Sequence, residues 1–211
     1  MRNKKLHDIL KSTFGHSSFR LKQREVIDSI LDGQDTLAIM PTGGGKSLCY
    51  QVPALYNEGV TLVVSPLISL MRDQVMSLNE FKVKACFLNS AQSWDERQEA
   101  EKDILEGKTK LVYVSPEGIL SPKVFELLQK VSVDLIAIDE AHCVSQWGHE
   151  FRTDYTRLGE LKQLFPGVPL LALTATADEK TRGDIAHQLL MDEPQVFISS
   201  FVYYNSSLVY N

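Results

Sequence analysis

The chain has 211 residues, of which 44% are apolar and 23% charged, the size and composition of one soluble globular domain with a substantial core. No apolar run approaches the ~20 residues that cross a bilayer, and the N-terminus lacks the pattern of a secretory signal, so we expect an intracellular protein that contacts no membrane. The formal net charge of −5 gives no sign of a polyanionic partner, although residues 1–50 carry a modest excess of Lys and Arg.

Three cysteines, Cys49, Cys86 and Cys143, lie far apart in the sequence. Their odd number favours a reduced compartment over a disulfide framework. No two of them have the spacing of a zinc site, so the sequence predicts no metal bound by a pair of cysteines.

Short apolar runs alternate with longer amphipathic runs along the chain. Most of the short runs are continuously apolar, which is typical of parallel strands covered by helices on both faces. Strands separated by helices need right-handed crossovers, so the pattern predicts an α/β fold with a mostly parallel, doubly wound sheet of about seven strands. The predicted strands are Thr36–Met40, Thr61–Ser65, Lys84–Asn89, Leu111–Ser115, Leu135–Asp139, Leu170–Thr174 and Val196–Ser199. The predicted helices are Leu48–Leu55, Leu67–Leu78, Ser93–Glu106, Lys123–Gln129, Asp154–Phe165 and Glu179–Leu190.

A glycine-rich loop follows the first predicted strand, with the sequence Met-Pro-Thr-Gly-Gly-Gly-Lys-Ser at residues 40–47. Three consecutive glycines let the backbone curl with positive φ, so that several N–H groups converge on one anion. The next helix directs its free N–H groups and dipole to the same point. Lys46 is placed to meet the outer phosphates of a nucleoside triphosphate, and Ser47 to ligate Mg²⁺. The residues predicted to bind the nucleotide here are Thr42, Gly43, Gly44, Gly45, Lys46 and Ser47.

The strict phosphate-loop pattern has glycine at its first position, where this chain has Met40. A glycine-rich turn before an unrelated helix therefore stays an alternative for the loop taken alone.

Two adjacent carboxylates, Asp139 and Glu140, follow another predicted strand. Because the carboxyl ends of parallel strands meet at one edge of a sheet, we expect them to face the glycine-rich loop. Asp139 is predicted to hold Mg²⁺ through water opposite Ser47, and Glu140 to accept a proton from the water that attacks the γ-phosphate. Strand ends are commonly polar, so the pair gains its meaning from the loop; together they predict an ATP–Mg²⁺ site.

Together with Ala141 and His142 these carboxylates spell Asp-Glu-Ala-His, the box of one branch of helicases. The segment from Thr174 to Thr176 resembles the helicase motif that links the ATP site to the nucleic-acid site. Two further segments resemble RecQ-type DNA helicases in particular. They are Leu10-x₃-Phe14-Gly15-x₃-Phe19-Arg20-x₂-Gln23, similar to an N-terminal element of that family, and Ser145-Gln146-Trp147-Gly148-His149-Glu150-Phe151-Arg152, similar to its aromatic-rich loop.

From about residue 6 to about residue 200 the chain is thus similar to the first RecA-like domain, a P-loop NTPase fold, of a RecQ-type ATP-dependent DNA helicase. The resemblance implies that Gln23 pairs with the adenine edge, that Arg20 lies near the base or phosphates, and that His16 packs on the base. A surface amide is the alternative for Gln23, and core packing is favoured for Phe14 and Phe19.

The resemblance also implies a catalytic set made of Lys46, Asp139, Glu140 and His142, in which His142 relays hydrogen bonds between the two sites. A structural histidine is the alternative for His142. Thr174 and Thr176 would couple ATP to DNA.

Contacts with single-stranded DNA are implied for three segments. Helix capping explains the serines about as well, and Trp147 has the alternative of plugging the domain surface. The implied DNA-binding residues are Ser65, Pro66, Ser69, Ser115, Trp147, Phe151 and Arg152.

The family continues after its last strand with Phe-x-Arg-x-Asn-Leu and a second RecA-like domain. Here Tyr203 stands between Phe201 and Asn205, where arginine is expected. We therefore expect a single domain at 1–211: an adenine-recognition element at 1–33, a RecA-like core at 34–200, and at 201–211 the start of a link to a second domain that the chain lacks. A divergent end, a truncated gene and an engineered sequence all remain open for Tyr203.

The resemblance implies a monomeric motor that couples ATP hydrolysis to 3′–5′ translocation on single-stranded DNA and unwinding of forked DNA, in DNA repair and recombination. Its compartment would be the cytoplasm and nucleoid of a bacterium or the nucleus of a eukaryote. An arginine finger from a second domain contributes ~10³–10⁵ in rate in related enzymes, so we expect this chain alone to bind ATP–Mg²⁺ and hydrolyse it poorly. A non-catalytic, ATP-regulated DNA-binding module and a helicase acting on RNA are the alternatives; the RecQ-like segments favour DNA.

Overall fold

The computed structural model describes residues 1–89, 92–147 and 150–199. All seven predicted strands form, and every pairing among them is parallel, so the predicted doubly wound sheet is confirmed. Their order across the sheet is β3-β4-β2-β5-β6-β1-β7. The strands are β1 Thr36–Ile39, β2 Val60–Val64, β3 Ala85–Leu88, β4 Leu111–Val114, β5 Val133–Ile138, β6 Leu170–Thr174 and β7 Gln195–Ile198.

Helices cover both faces of the sheet. Alternate strand residues enter opposite cores: Leu37 and Ile39 of β1 face one, while Ala38 and Met40 face the other. None of the helices in the described ranges is long and apolar enough to cross a membrane. The helices are α1 Arg2–Phe14, α2 Gln23–Leu31, α3 Leu48–Tyr56, α4 Ile68–Glu80, α5 Trp94–Leu105, α6 Pro116–Ile119, α7 Pro122–Leu128, α8 Glu160–Leu164 and α9 Glu179–Gln188, with 3₁₀ turns at Ala141–Val144 and Thr153–Tyr155.

The N-terminal helices α1 and α2 pack on the same face as α3 and α4. Leu6, Leu10 and Phe14 lie on one side of α1 at helical spacing and are buried in that core. Phe14 therefore packs as favoured, and Phe19 packs at the edge of the same cluster. This packing fixes the start of α2, and with it Gln23, beside the sheet.

The predicted helix at Asp154–Phe165 is wrong in its first half, where a 3₁₀ turn precedes the short helix α8. Gly159 explains the interruption, because a Cβ atom there would lie 2.4 Å from the carbonyl oxygen of Gln188. The backbone approaches α9 this closely only without a side chain, so packing overrides the helical pattern.

The strand order sets up the site. β6 lies between β5 and β1, so the end of β6 separates the two strands that lead into the acidic pair and the glycine-rich loop. The N–H of Met40 donates to the Thr174 carbonyl at 3.0 Å, which extends the β1–β6 pairing to the start of the loop. β2 and β4, which are followed directly by Ser65 and Ser115, lie on the other side of β5.

Candidate active site

The glycine-rich loop is tightly wound between β1 and α3. Gly43 and Gly45 have φ values of 77° and 76°, in the left-handed region that favours glycine. The N–H of Gly44 donates to the Pro41 carbonyl at 2.9 Å, and a Cβ atom on Gly44 would lie 2.8 Å from that oxygen. A side chain is therefore disfavoured at each of the three glycine positions, and together the glycines produce the curled backbone that an anion site needs.

Gln23 is fastened to this loop. Its side chain is buried, and its Nε2 donates to the carbonyls of Gly44 at 3.3 Å and Gly45 at 3.0 Å. Its Oε1 accepts from the N–H of Arg20 at 2.8 Å. The alternative of a surface amide is therefore wrong. The side chains of Arg20 and His16 are exposed next to this element, and the adenine role of all three stays a prediction.

Lys46 lies between the loop and the acidic pair. Its Nζ donates to the Met40 carbonyl at 3.3 Å, and its positive charge lowers the pKa of Asp139. Burial and the neighbouring Glu140 outweigh that effect and raise the pKa of Asp139 to about 6. A carboxylate held in this environment is stabilised by an added cation.

Two hydrogen bonds hold the turn that carries the acidic pair. Glu140 adopts a left-handed φ of 49°, and its N–H donates to Oδ1 of Asp139 at 3.0 Å. The buried hydroxyl of Tyr155 donates to the carbonyl of Asp139 at 3.1 Å. Burial raises the pKa of Tyr155, which keeps this donor protonated. Tyr155 was not predicted, because nothing in its sequence position indicates this contact.

His142 connects the acidic pair with Thr174. Its Nδ1 lies 2.9 Å from Oγ1 of Thr174 and 3.3 Å from a carboxylate oxygen of Glu140. The Thr174 hydroxyl lies 3.1 Å from the Thr176 carbonyl, to which it can donate its single proton while accepting from His142. We assign the proton of the neutral ring to Nδ1, because the Glu140 carboxylate also lies beside it, and Nε2 then holds the free lone pair. That Nε2 faces Glu150, whose carboxylate lies 3.7 Å away.

The aromatic-rich loop is tied to α9. Oγ of Ser145 donates to Asp184 at 2.7 Å and accepts from the N–H of Trp147 at 3.2 Å. The ammonium of Lys180 lies 3.1 Å from the centroid of the Trp147 ring, a cation–π contact. Trp147 is 61% exposed, so it does not plug the surface. Gly148 and His149 of this loop lie outside the described residues.

The other residues predicted to contact DNA differ in accessibility. Ser69 in the first turn of α4 is exposed, as are Phe151 and Arg152. Ser65 is buried, and its hydroxyl has no hydrogen-bond partner among the residues the structure describes. Ser115 is buried and caps α6, accepting from the N–H of Gly118 at 3.3 Å.

One cleft of about 440 Å³ joins these parts. Arg152 reaches across it from the aromatic-rich loop, 3.5 Å from the carbonyl of Pro66. The cleft is lined by Thr42, Pro66, Leu67, Glu140, His142, Trp147, Glu150, Arg152, Ala175, Thr176, Ala177, Asp178 and Thr181. It therefore runs from the phosphate loop, past the acidic pair, to the aromatic-rich loop and the Thr174–Thr176 segment.

Comparison with known families agrees with this arrangement. The family model "DEAD/DEAH box helicase" matches residues 20–185 of the chain. The chain belongs to the DEAD/DEAH box helicase family. The match begins before the glycine-rich loop and ends within α9, so it spans the candidate site apart from His16.

Several curated relatives of this helicase-family domain are named RecQ helicases. The chain is 54% identical over 194 residues to an ATP-dependent DNA helicase RecQ of Pasteurella multocida, and 52% identical over 193 residues to that of Haemophilus influenzae. Each alignment covers 92% of this chain and 31% of the relative. A probable ATP-dependent DNA helicase RecS of Bacillus subtilis is 48% identical over 88% of this chain and 37% of its own length. The chain thus spans about a third of these relatives.

Solved helicase structures share the fold at low sequence identity. The helicase MrfA bound to DNA superposes with a TM-score of 0.70 at 19% identity, covering 93% of this chain and 29% of that one. A hypothetical ATP-dependent RNA helicase from Sulfolobus tokodaii gives a TM-score of 0.67 at 18% identity, covering 93% and 57%. These likenesses confirm the RecA-like helicase fold.

The candidate site is therefore assembled from residues that are distant in sequence. Most of the predicted residues meet at one sheet edge, whereas the hydroxyls of Ser65 and Ser115 stay buried. The sequence did not predict the residues that hold the site in place, namely Tyr155, Lys180 and Asp184. Glu150 lies within the aromatic-rich loop, but the sequence predicted no role for it. The predicted family departure at Tyr203 and its neighbours Phe201 and Asn205 lies outside the described residues.

Proposed function

We propose that the chain is the ATP-binding domain of a RecQ-type DNA helicase, in which ATP–Mg²⁺ hydrolysis drives movement along single-stranded DNA. The observation that carries this proposal is the single cleft that Thr42, Glu140 and Trp147 all line. It makes one continuous surface from the phosphate loop to an exposed aromatic ring, and a nucleic-acid motor needs its two ligands to sense each other in this way.

Nucleotide binding begins with an exchange of hydrogen bonds at the loop. The loop amides of residues 43–47 bind the phosphates, and Lys46 leaves the Met40 carbonyl to meet the outer phosphates. Gln23 exchanges the carbonyls of Gly44 and Gly45 for the adenine edge. Adenine recognition and opening of the loop are then a single event, with Arg20 and His16 at the exposed side of the base.

The donor set fits a magnesium ion, since the Ser47 hydroxyl and the Asp139 carboxylate are hard oxygen ligands flanking Lys46. Mg²⁺, when bound, neutralises phosphate charge during transfer. Glu140 takes the proton from the attacking water on its carboxylate. Its backbone N–H stays bonded to Asp139 and its carboxylate lies beside His142, so both acidic groups keep a fixed relative position.

His142 transmits the effect of DNA binding to Glu140, the general base. A nucleobase that stacks on Trp147 moves the loop carrying Glu150. Glu150 lies 3.7 Å from Nε2 of His142, and Nδ1 of the same ring lies 3.3 Å from Glu140. Thr174, which also contacts Nδ1, and Thr176 relay the same change to α9. Ser69, Phe151 and Arg152 offer further contacts to the strand, beside Pro66; Ser65 and Ser115 first have to become accessible.

A second RecA-like domain completes the motor in this proposal, and it supplies the arginine finger. Translocation from 3′ to 5′, unwinding of forked DNA, and a place in DNA repair and recombination follow from the resemblance to RecQ helicases. We infer a monomeric, intracellular protein.

The test is ATP hydrolysis by this chain and by a version joined to a second RecA-like domain, each with and without single-stranded DNA. We expect weak hydrolysis by the chain and DNA-stimulated hydrolysis by the longer version, abolished by Glu140→Gln. Equal stimulation by RNA would favour an RNA helicase. Absence of hydrolysis in the longer version would favour a non-catalytic DNA-binding module and contradict the proposal.

A further inference from the structure

A cluster of three side chains next to the acidic pair has metal-ligating chemistry that the ATP site does not use. The cluster consists of His142, Cys143 and Glu150. Nε2 of His142 lies 3.8 Å from the sulfur of Cys143 and 3.7 Å from the nearer carboxylate oxygen of Glu150. The three ligand atoms all lie within 4.8 Å of one another.

We propose that His142, Cys143 and Glu150 bind a zinc ion, which fastens the aromatic-rich loop to the acidic motif. Histidine nitrogen, cysteine sulfur and carboxylate oxygen are the ligand types that Zn²⁺ takes in proteins, and open zinc sites have three protein ligands with water in the fourth position. Zinc bonds of about 2.0–2.3 Å in a tetrahedron place the ligand atoms roughly 3.3–3.6 Å apart. The His142–Cys143 separation lies slightly above this range, and the exposed Glu150 side chain can move to shorten its own distances to the other two ligand atoms.

The imidazole is already prepared for a metal. Nδ1 of His142 donates to Thr174 and lies near Glu140, so the lone pair of Nε2 points to Cys143 and Glu150. Metal-binding histidines in proteins usually have this arrangement, in which the second ring nitrogen donates to an oxygen that fixes the tautomer.

The backbone brings the third ligand back to the first two. The N–H of Arg152 donates to the carbonyl of Cys143 at 2.9 Å, which closes the loop between them. Glu150 therefore lies beside residues seven and eight positions earlier in the chain. A metal bound to both ends would hold Trp147, which lies between them.

Local charge favours a cation. The negative charges of Glu150, Glu140 and Asp139 act on the Cys143 thiol, opposed by the positive charge of Arg152. Zn²⁺ displaces the proton of Cys143, which passes to the buffer, and forms bonds to the resulting thiolate, to Nε2 and to the Glu150 carboxylate. No atom changes its oxidation state in this step.

The probe is Co²⁺, whose bond to a thiolate gives a charge-transfer absorption band, followed by displacement with Zn²⁺. The full chain is titrated in excess Mg²⁺, so that the predicted magnesium ligands are occupied. We expect one Co²⁺ per chain with the thiolate band, which Zn²⁺ removes. The matched control is Cys86→Ser, which changes a partly buried cysteine away from the cluster and should keep the band.

Cys143→Ser should abolish the band, and Glu150→Gln should weaken Co²⁺ and Zn²⁺ binding by about tenfold or more. Glu150 is exposed, so its substitution leaves the fold intact and tests the site even if Cys143→Ser unfolds. A missing band in the unmodified chain would overturn the proposal, and so would Zn²⁺ affinity unchanged by Glu150→Gln. Neither result would affect the ATP assignment.

Discussion

The acidity of Asp139 makes nucleotide binding depend on pH in a way that can be calculated. Burial, and then the charge of Glu140, raise the pKa of Asp139 to about 6. Only the ionised carboxylate binds Mg²⁺, so protonation competes with the metal. The apparent affinity is divided by one plus the ratio of the proton concentration to the acid constant of Asp139. It is therefore about elevenfold lower at pH 5 and almost unchanged at pH 7.5. An aspartate with the usual pKa of about 3.9 would lose only about a tenth of its affinity at pH 5.

The assay is a fluorescence titration with a labelled ATP analogue in Mg²⁺ from pH 5 to 7.5. ATP itself takes up a proton near pH 6, so the matched control is Asp139→Asn, which keeps the nucleotide's own pH dependence. We expect the advantage of the unmodified chain over Asp139→Asn to shrink about tenfold from pH 7.5 to pH 5. A ratio that stays constant over this range would refute the reasoning.

Asp139→Asn, which should weaken nucleotide binding, should stabilise the folded chain. Because the folded pKa of Asp139 is raised, its ionised form favours the unfolded chain, and stability is lost as pH rises from about 4 to about 6. The asparagine oxygen can still accept from the N–H of Glu140, as Oδ1 does now at 3.0 Å. Asp139→Asn should therefore raise the free energy of unfolding by about 1–3 kcal/mol at pH 7.5, with no gain at pH 4. Urea denaturation at the two pH values measures it; destabilisation at pH 7.5 would contradict the assigned cause.

Three further substitutions test the rest of the site. Gly45→Ala places a Cβ 2.4 Å from Nε2 of Gln23 at a φ of 76°, so it should weaken ATP binding at least tenfold in an equilibrium titration; unchanged affinity would mean that the loop tolerates another shape. Thr174→Val removes the oxygen that accepts from His142. In the longer, two-domain version it should abolish the stimulation of ATP hydrolysis by DNA while ATP affinity stays within about twofold. Retained stimulation would exclude this relay. Trp147→Ala in the same version should uncouple hydrolysis from single-stranded DNA, and undiminished stimulation would remove the ring from the mechanism.

Sequence periodicity predicted the sheet because most of its strands are buried on both faces and leave continuous apolar runs. The glycine-rich loop and the Asp139–Glu140 pair were predictable for a similar reason, since each is a local pattern beside a strand. The helix at Asp154–Phe165 failed because the close approach of Gly159 to Gln188 is a tertiary contact that leaves no periodic signal.

Side-chain supports were out of reach for the same reason. The contact of Tyr155 with the Asp139 carbonyl and the position of Lys180 over Trp147 depend on how distant segments fold together. Gln23 shows a further limit: its place in a motif predicted a ligand contact, but only the structure reveals that the amide now holds the loop that the ligand needs.

Magnesium-dependent ATP binding at the glycine-rich loop tests the central claim most directly. Calorimetric titration of the purified chain should show binding that requires Mg²⁺ and that Lys46→Ala removes. Lys84→Ala, which changes an exposed lysine paired with Asp103, should leave it unchanged. Equal ATP affinity in the unmodified chain and Lys46→Ala would contradict the assignment of this loop as the nucleotide site.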